Sequence, residues 1–555
     1  MQAKLISSLE KVFPEQAVRS FRTLSSLSVL YGERFSFQIV YRADKDESPV
    51  SWIRVGMQSD TEARVSFRIV DLVPVLFPCY EGKTDDLYLK KTPGLYPDLL
   101  SPTQYDSCVP AFTNQTRAVW VTVEGISPSE ATPGNHTLHL TLSKKDGRPL
   151  AELTLSLHVV PVQLPKPNLY FTQWFYCDCL ATQYHTTAFS ERHWEIIESF
   201  LRCAARNGIN TILTPLFTPP LDTEIGGERL STQLVDITLE SDGSYRFKFD
   251  KLDRWVDLCQ ACGIENFEMA HLFTQWGAKA APKVVAQVNG IPTRIFGWDT
   301  PSKAGEYPHF LSCFLPELVD HLKRRGLEKN VFFHISDEPT LDFLETYRSL
   351  LSIVKPYLEG FPIMDAMSDL DFYKQGLCNT PVPGNDHIEP FLEEGVENLW
   401  TYYCCVQGRN VSNRFIAMPS ARNRCLGYQL YKYNIKGFLH WGFNFYNNMN
   451  SHDIIFPFLN ASGSYQVPDG DAFQVYPAPD ETPLESIRLV VFHEGLQDLA
   501  ALQLCEAGLN HEEVVKELES VTGPVSFSSC PDRGEPILRM RRAINRLIEK
   551  QHPAK

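Results

Sequence analysis

Asp337 and Glu338 stand side by side in the run His-Ile-Ser-Asp-Glu-Pro, directly after three apolar residues, Val331 to Phe333. Two carboxylates at the end of a buried strand suit proton transfer or nucleophilic attack. Other apolar runs end in residues of a complementary kind: Trp174, Tyr176 and Asp178; His271 with Gln275 and Trp276; Asp365; Trp400, Tyr402 and Tyr403; His440, Trp441, Asn444, Tyr446 and Asn447. Aromatic rings around a few carboxylates fit a sugar, whose pyranose ring offers an apolar C–H face together with hydroxyls. His271 and His440 read equally well as core histidines with satisfied nitrogens.

Glycoside hydrolysis ordinarily needs two carboxyl groups on opposite sides of the scissile bond. Adjacent residues cannot flank that bond, so Asp337 and Glu338 are poorly arranged as a conventional pair. A substrate carrying its own nucleophile resolves the difficulty. Its 2-acetamido group attacks the anomeric carbon to give an oxazolinium ion, while Asp337 orients the acetamido group and Glu338 serves as acid and then base. A tyrosine hydroxyl on the acetamido oxygen would complete the arrangement, with Tyr402, Tyr403 and Tyr446 as candidates. Two alternatives stay open: a retaining β-glycosidase for sugars without an acetamido group, with Asp365 or Asp178 as nucleophile, and a non-catalytic carbohydrate-binding protein.

The elements that must position these residues fall into three regions. Residues 1–160 alternate apolar and polar positions in runs such as 34–43, 63–77 and 117–125, with a Lys-Asp-Gly turn at 144–147, which predicts antiparallel hairpins and a β-sandwich. Three prolines within 161–168 make 161–167 a semi-rigid connector. From 168 to 484 a helical stretch, a glycine and a short apolar strand recur, with the glycines at Gly208, Gly263, Gly326, Gly360, Gly395 and Gly437. Helix alternating with buried strand predicts a parallel sheet, and seven strands with 471–479 as an eighth predict a (β/α)₈ TIM-like barrel. Residues 485–555 read as helices packed on the barrel, their charges on a solvated face. The fold class is thus multidomain, α/β plus all-β.

Composition narrows the function. The 555 residues include 43% hydrophobic and 21% charged side chains, as in a soluble globular protein of several domains. A net charge of -15 argues against nucleic acid or an anionic membrane as partner. Fourteen cysteines show no disulfide framework, and the pair Cys259 and Cys262 lacks a second pair to complete a zinc site. No metal or organic cofactor is expected. The N-terminus lacks a charged stretch followed by an apolar one, so the expected location is cytoplasmic. The oligomeric state stays open, a homodimer among the options.

Three stretches together carry a family resemblance: the "HISDEP" run, the aromatic "GFLHWGFNFYNN" at 437–448, and "DGDAFQVYP" at 469–477 followed by "SIRLVVFHEGLQD" at 486–498. Over residues 168–500 the chain resembles glycoside hydrolase family 123. The resemblance implies a β-N-acetylgalactosaminidase acting on terminal β-linked GalNAc, with an N-terminal β-sandwich, a (β/α)₈ barrel and substrate-assisted retaining catalysis. On that match Asp337 stabilises the acetamido group and Glu338 is the acid/base, while GalNAc rather than GlcNAc rests on the resemblance alone. Trp174, Tyr176, His271, Asp365, Tyr402, Tyr403, Trp441, Asn444 and Tyr446 are the expected sugar contacts.

Overall fold

The computed structural model describes residues 1–45, 48–103, 107–275 and 277–553. Trp276, one of the strand-end aromatics, lies outside the described residues.

The N-terminal strands form two five-stranded sheets. One holds Gln2–Ser7, Phe35–Arg42, Arg117–Val123, Val65–Val75 and Gly94–Pro102; the other holds Ser26–Tyr31, Pro149–Gln163, Gly134–Lys144, Val50–Ser59 and Cys108–Phe112. Pairing is antiparallel except between Pro149–Gln163 and Ser26–Tyr31. Alternating inward residues of both sheets, Phe37, Ile39, Val119 and Val121 from one and Val55, Leu140 and Leu157 from the other, share one apolar cluster. That shared burial is the reason the two-residue period is so legible in this region.

Eight short parallel strands follow: β1 (Tyr170–Gln173), β2 (Thr211–Thr214), β3 (Asn266–Met269), β4 (Val331–Phe333), β5 (Met364–Ala366), β6 (Thr380–Val382), β7 (Trp400–Tyr402) and β8 (Gly437–His440). Six of them make one sheet in the order β4-β3-β2-β1-β8-β7, and β5 pairs with β6. Single parallel bridges, Phe333 with Ile363 and Gly384 with Tyr402, carry the order from β4 to β5 and from β6 to β7. The arrangement is barrel-like, with two thin seams in place of continuous ladders.

The expected eighth strand is corrected here. Val475–Pro477, within 471–479, pairs antiparallel with Pro483–Glu485 outside the parallel set, and Thr380–Val382 takes the place in the ring. Its "NTPVPG" context carries two prolines, which disfavour a long strand; a three-residue strand needs few ladder bonds and tolerates them.

The helices between strands form for visible reasons. Helix α1 (Glu191–Arg206) starts where the Ser190 side chain accepts the His193 N–H, and it buries Trp194, Ile197, Phe200 and Leu201 along one stripe. Helix α2 (Asp250–Cys262) stops at Gly263, whose φ of 94° lets its N–H turn back onto the last carbonyls. Gly437 is different: it is the first residue of β8, paired with Trp400, and a Cβ there would sit 2.0 Å from the indole. Its small size, not a helix cap, is what the position requires.

The C-terminal helices depart from expectation. Helix α3 (Ile487–Cys505) is buried on nearly every face, and its Arg488, Glu494 and Asp498 are not solvated but paired internally. Helix α4 (Glu535–Gln551) also packs on the N-terminal sheets, with Arg541 bonded to Glu33, Asn545 to Ser28 and Glu549 to His158. No helix among the described residues is long and apolar enough to cross a membrane.

Candidate active site

Asp337 and Glu338 emerge just past β4 into a cavity of about 260 Å³. Trp174 and Tyr176 follow β1, Tyr402 ends β7, and Trp441 and Phe445 follow β8; with Leu439 they supply its apolar walls. Strand ends converge here because parallel strands all point the same way round, so their C-terminal residues share one rim. Tyr80, from the N-terminal region, also lines the cavity, so that region forms part of its wall.

Glu338 is exposed and takes a φ of 44°, a left-handed backbone seldom adopted by a residue with a side chain. That turn brings into one cavity two adjacent carboxylates that an extended strand would send to opposite faces. The Tyr402 hydroxyl donates to Glu338 Oε1 at 2.6 Å. Burial, then the Glu338 charge, pushes the Tyr402 phenol well above its ordinary pKa, so it remains a donor. Asp337 is half-buried, and among the described residues none donates a hydrogen bond to it. Burial, followed by the neighbouring Glu338, pushes its carboxyl well above the usual range.

A buried polar chain lies beneath the pair. His334 is hydrogen-bonded through Nδ1 to Asp365 Oδ1 at 3.1 Å and through Nε2 to Glu268 Oε2 at 2.9 Å, all three being fully buried. The Trp174 indole N–H reaches the same Glu268 oxygen at 3.0 Å. Burial opposes the His334 imidazolium, but its bonds to Asp365 and Glu268 outweigh that and lift its pKa to about 9. His271 stacks on His334 with ring centres 4.2 Å apart and planes 20° apart. His271, His334 and Asp365 offer donor atoms within 4.8 Å of one another. Near-parallel rings do not aim their in-plane lone pairs at one point, and both His334 nitrogens are engaged, so the donor set fits a metal ion poorly.

Of the expected sugar contacts, Trp174, Tyr176, Tyr402 and Trp441 line the cavity together with Asp337 and Glu338. Five do not reach it. Asp365 is fully buried, its carboxylate taken up by His334, the Ile335 N–H and the Tyr347 hydroxyl. Tyr403 packs inside against Phe438 and His440. Asn444 clamps the backbone of Tyr176 through both ends of its amide, the Tyr446 hydroxyl donates to the Val475 carbonyl, and His271 lies in the core. Asp178, the other candidate nucleophile, forms a buried two-pronged pair with Arg229.

Asp222 is the carboxylate that strand-end reading passed over. It lines the cavity from the loop after β2, in the proline-rich stretch "TPPLDTE". The strand-end rule, extended to β2, would have reached it.

The chain's residues 174–505 match the model for the catalytic domain of glycoside hydrolase 123. The chain belongs to glycoside hydrolase family 123. It is a glycosidase, and its substrate is a carbohydrate. A family 123 glycoside hydrolase from Clostridium perfringens, described for glycolipid glycan hydrolysis, has a similar structure: TM-score 0.73, 17% identity, 98% of each chain covered. A glycosyl hydrolase family 2 member from Bacteroides cellulosilyticus DSM 14838 covers 82% of this chain and 49% of its own at 11% identity. Its TM-score of 0.28 lends it no weight. No curated protein sequence matches the chain.

The buried His334 network beneath this family 123 site ties stability to pH. His334 has a folded pKa near 9, above the ~6.5 of an unfolded histidine, so its stabilisation is full below pH ~6.5 and is lost as pH rises through 9. That amounts to on the order of 3 kcal/mol across the window. Thermal midpoints of wild type and His334→Gln between pH 6 and 10 test it: the wild-type midpoint should fall over this range more steeply than the variant's.

Proposed function

We propose that the enzyme is a retaining exo-β-N-acetylgalactosaminidase that uses the substrate's acetamido group as nucleophile. The observation that carries the reading is Asp337: a half-buried carboxylate with no protein donor among the described residues, beside a carboxylate that has one. An acetamido N–H is the donor such a group lacks. With that bond made, the acetamido oxygen is held against the anomeric carbon, and Asp337 stabilises the positive charge that develops on nitrogen in the oxazolinium ion. Glu338 protonates the leaving oxygen and then takes a proton from the water that opens the ring. The Tyr402 hydroxyl fixes the Glu338 carboxyl.

Further features support the exo reading. A cavity of about 260 Å³ lies below the ~300–1,000 Å³ of sites for drug-sized ligands, which suits one terminal sugar. The walls come from the ends of an eight-stranded (β/α)₈ barrel, with the N-terminal sheets as a β-sandwich alongside. The glycan class attached to the C. perfringens relative makes a glycolipid-derived oligosaccharide the proposed substrate. Fourteen free cysteines favour a cytoplasmic setting for it.

Asp222 favours a second reading, a conventional nucleophile acting on sugars without an acetamido group. Release of p-nitrophenol from β-GalNAc, β-GlcNAc and β-Gal aryl glycosides separates the two. Turnover of the acetamido sugars, strongest on β-GalNAc, is expected; turnover of β-Gal alone would overturn the self-supplied nucleophile.

A further inference from the structure

Asp222 combines a rigidly held backbone with a nearly idle carboxylate. Its φ of 46° places it in the left-handed region. Gln275 Oε1 accepts its N–H at 2.8 Å, and the Ser451 hydroxyl donates to its carbonyl at 2.7 Å. Gln275 also reaches the Thr223 carbonyl, and the Glu224 N–H bonds Asn450 O, so the loop is tied on both sides of the residue. A strained conformation held by several partners is one the surrounding structure maintains.

Among the described residues the carboxylate itself receives only the Asn450 N–H, at a long 3.4 Å. The nearby cation, Arg229, is committed to Asp178 and to the Leu221 carbonyl. Asp222 therefore carries an uncompensated, half-buried acceptor facing the same cavity as Asp337 and Glu338. Neutral O–H donors arriving with a ligand are what such a group lacks, and sugar hydroxyls are that kind of donor.

We propose that Asp222 is a specificity-determining residue that accepts a hydrogen bond from one non-anomeric hydroxyl of the terminal sugar. The assignment rests on the substrate-assisted reading, which leaves Asp222 free of a covalent role. A hydroxyl–carboxylate bond of this kind contributes roughly 10–100-fold in kcat/KM.

The test measures kcat/KM for wild type, Asp222→Ala and Asp222→Asn on p-nitrophenyl β-GalNAc and its 3-, 4- and 6-deoxy analogues. One deoxy analogue should lose roughly 10–100-fold with wild type and almost nothing further with Asp222→Ala, while Asp222→Asn, which keeps one acceptor, should lose less on the parent. If every deoxy analogue loses as much with the variant as with wild type, the hydroxyl assignment fails while the substrate-assisted mechanism stands. If Asp222→Ala abolishes turnover and azide restores it with a glycosyl azide product, Asp222 is the nucleophile and both readings fall. Should the variants not fold, the wild-type series still decides: no analogue losing more than about threefold overturns the proposal.

Discussion

Glu338→Gln is expected to lower kcat/KM by about 10²–10⁴-fold on substrates with poor leaving groups, because it removes the proton that the departing oxygen needs. In free-energy terms that is roughly 3–5 kcal/mol of transition-state stabilisation. The fold should be indifferent, since the side chain is exposed and its one bond among the described residues, from Tyr402, can pass to the glutamine carbonyl. The loss should shrink for p-nitrophenyl glycosides, whose leaving group departs with little protonation. Asp337→Asn should damage both substrate types alike, because it acts on ring formation and not on departure. Comparing the two variants on an aryl glycoside and an oligosaccharide checks the division of labour. Equal losses for Glu338→Gln on both substrates would deny it the acid role.

Asp98→Ala is expected to destabilise the protein by about 3–5 kcal/mol, the cost of stranding a buried charge. Arg488, at the start of α3, donates to both oxygens of Asp98 at 2.8 and 2.9 Å, and the pair is 2% and 0% exposed. Tyr476 adds a third bond to Asp98, and Arg488 also donates to the carbonyls of Gly470 and Phe473. Those carbonyls flank Asp471, which holds the Trp441 indole N–H at 2.7 Å. Breakage should therefore show twice: as a lowered thermal midpoint, and as a raised KM through a loosened Trp441. Removing the exposed Arg202–Glu198 pair in α1 should leave both quantities within experimental scatter. Wild-type KM in a destabilised Asp98→Ala would confine the pair to holding the N-terminal sheets against the rest of the chain.

What could be known from residue order alone was what depends on neighbours in the chain. Period-two alternation marked the N-terminal strands because each has one buried face. Helix-glycine-strand recurrence marked the parallel set because each left-handed cap is a local event, as at Gly263. The pair after β4 stood out because two carboxylates end an apolar run, and with the stretches at 437–448 and 469–498 it sufficed to show the family resemblance.

Packing decided the rest. Tyr402 and Tyr403 are adjacent and equally aromatic, yet one faces Glu338 and the other Phe438, since successive strand residues point to opposite sides. Asp365 follows an apolar run just as Asp337 does, but Tyr347 and His334, brought from other elements, consume its carboxylate. Arg488, Glu494 and Asp498 read as solvated because their partners Asp98, Arg424 and Arg541 are remote in sequence. Nothing near Asp222 in the chain marked it, because its anchors, Gln275 and Ser451, are equally distant in the chain. Local order fixes which groups can do chemistry; long-range contacts determine which are left unpaired to do it.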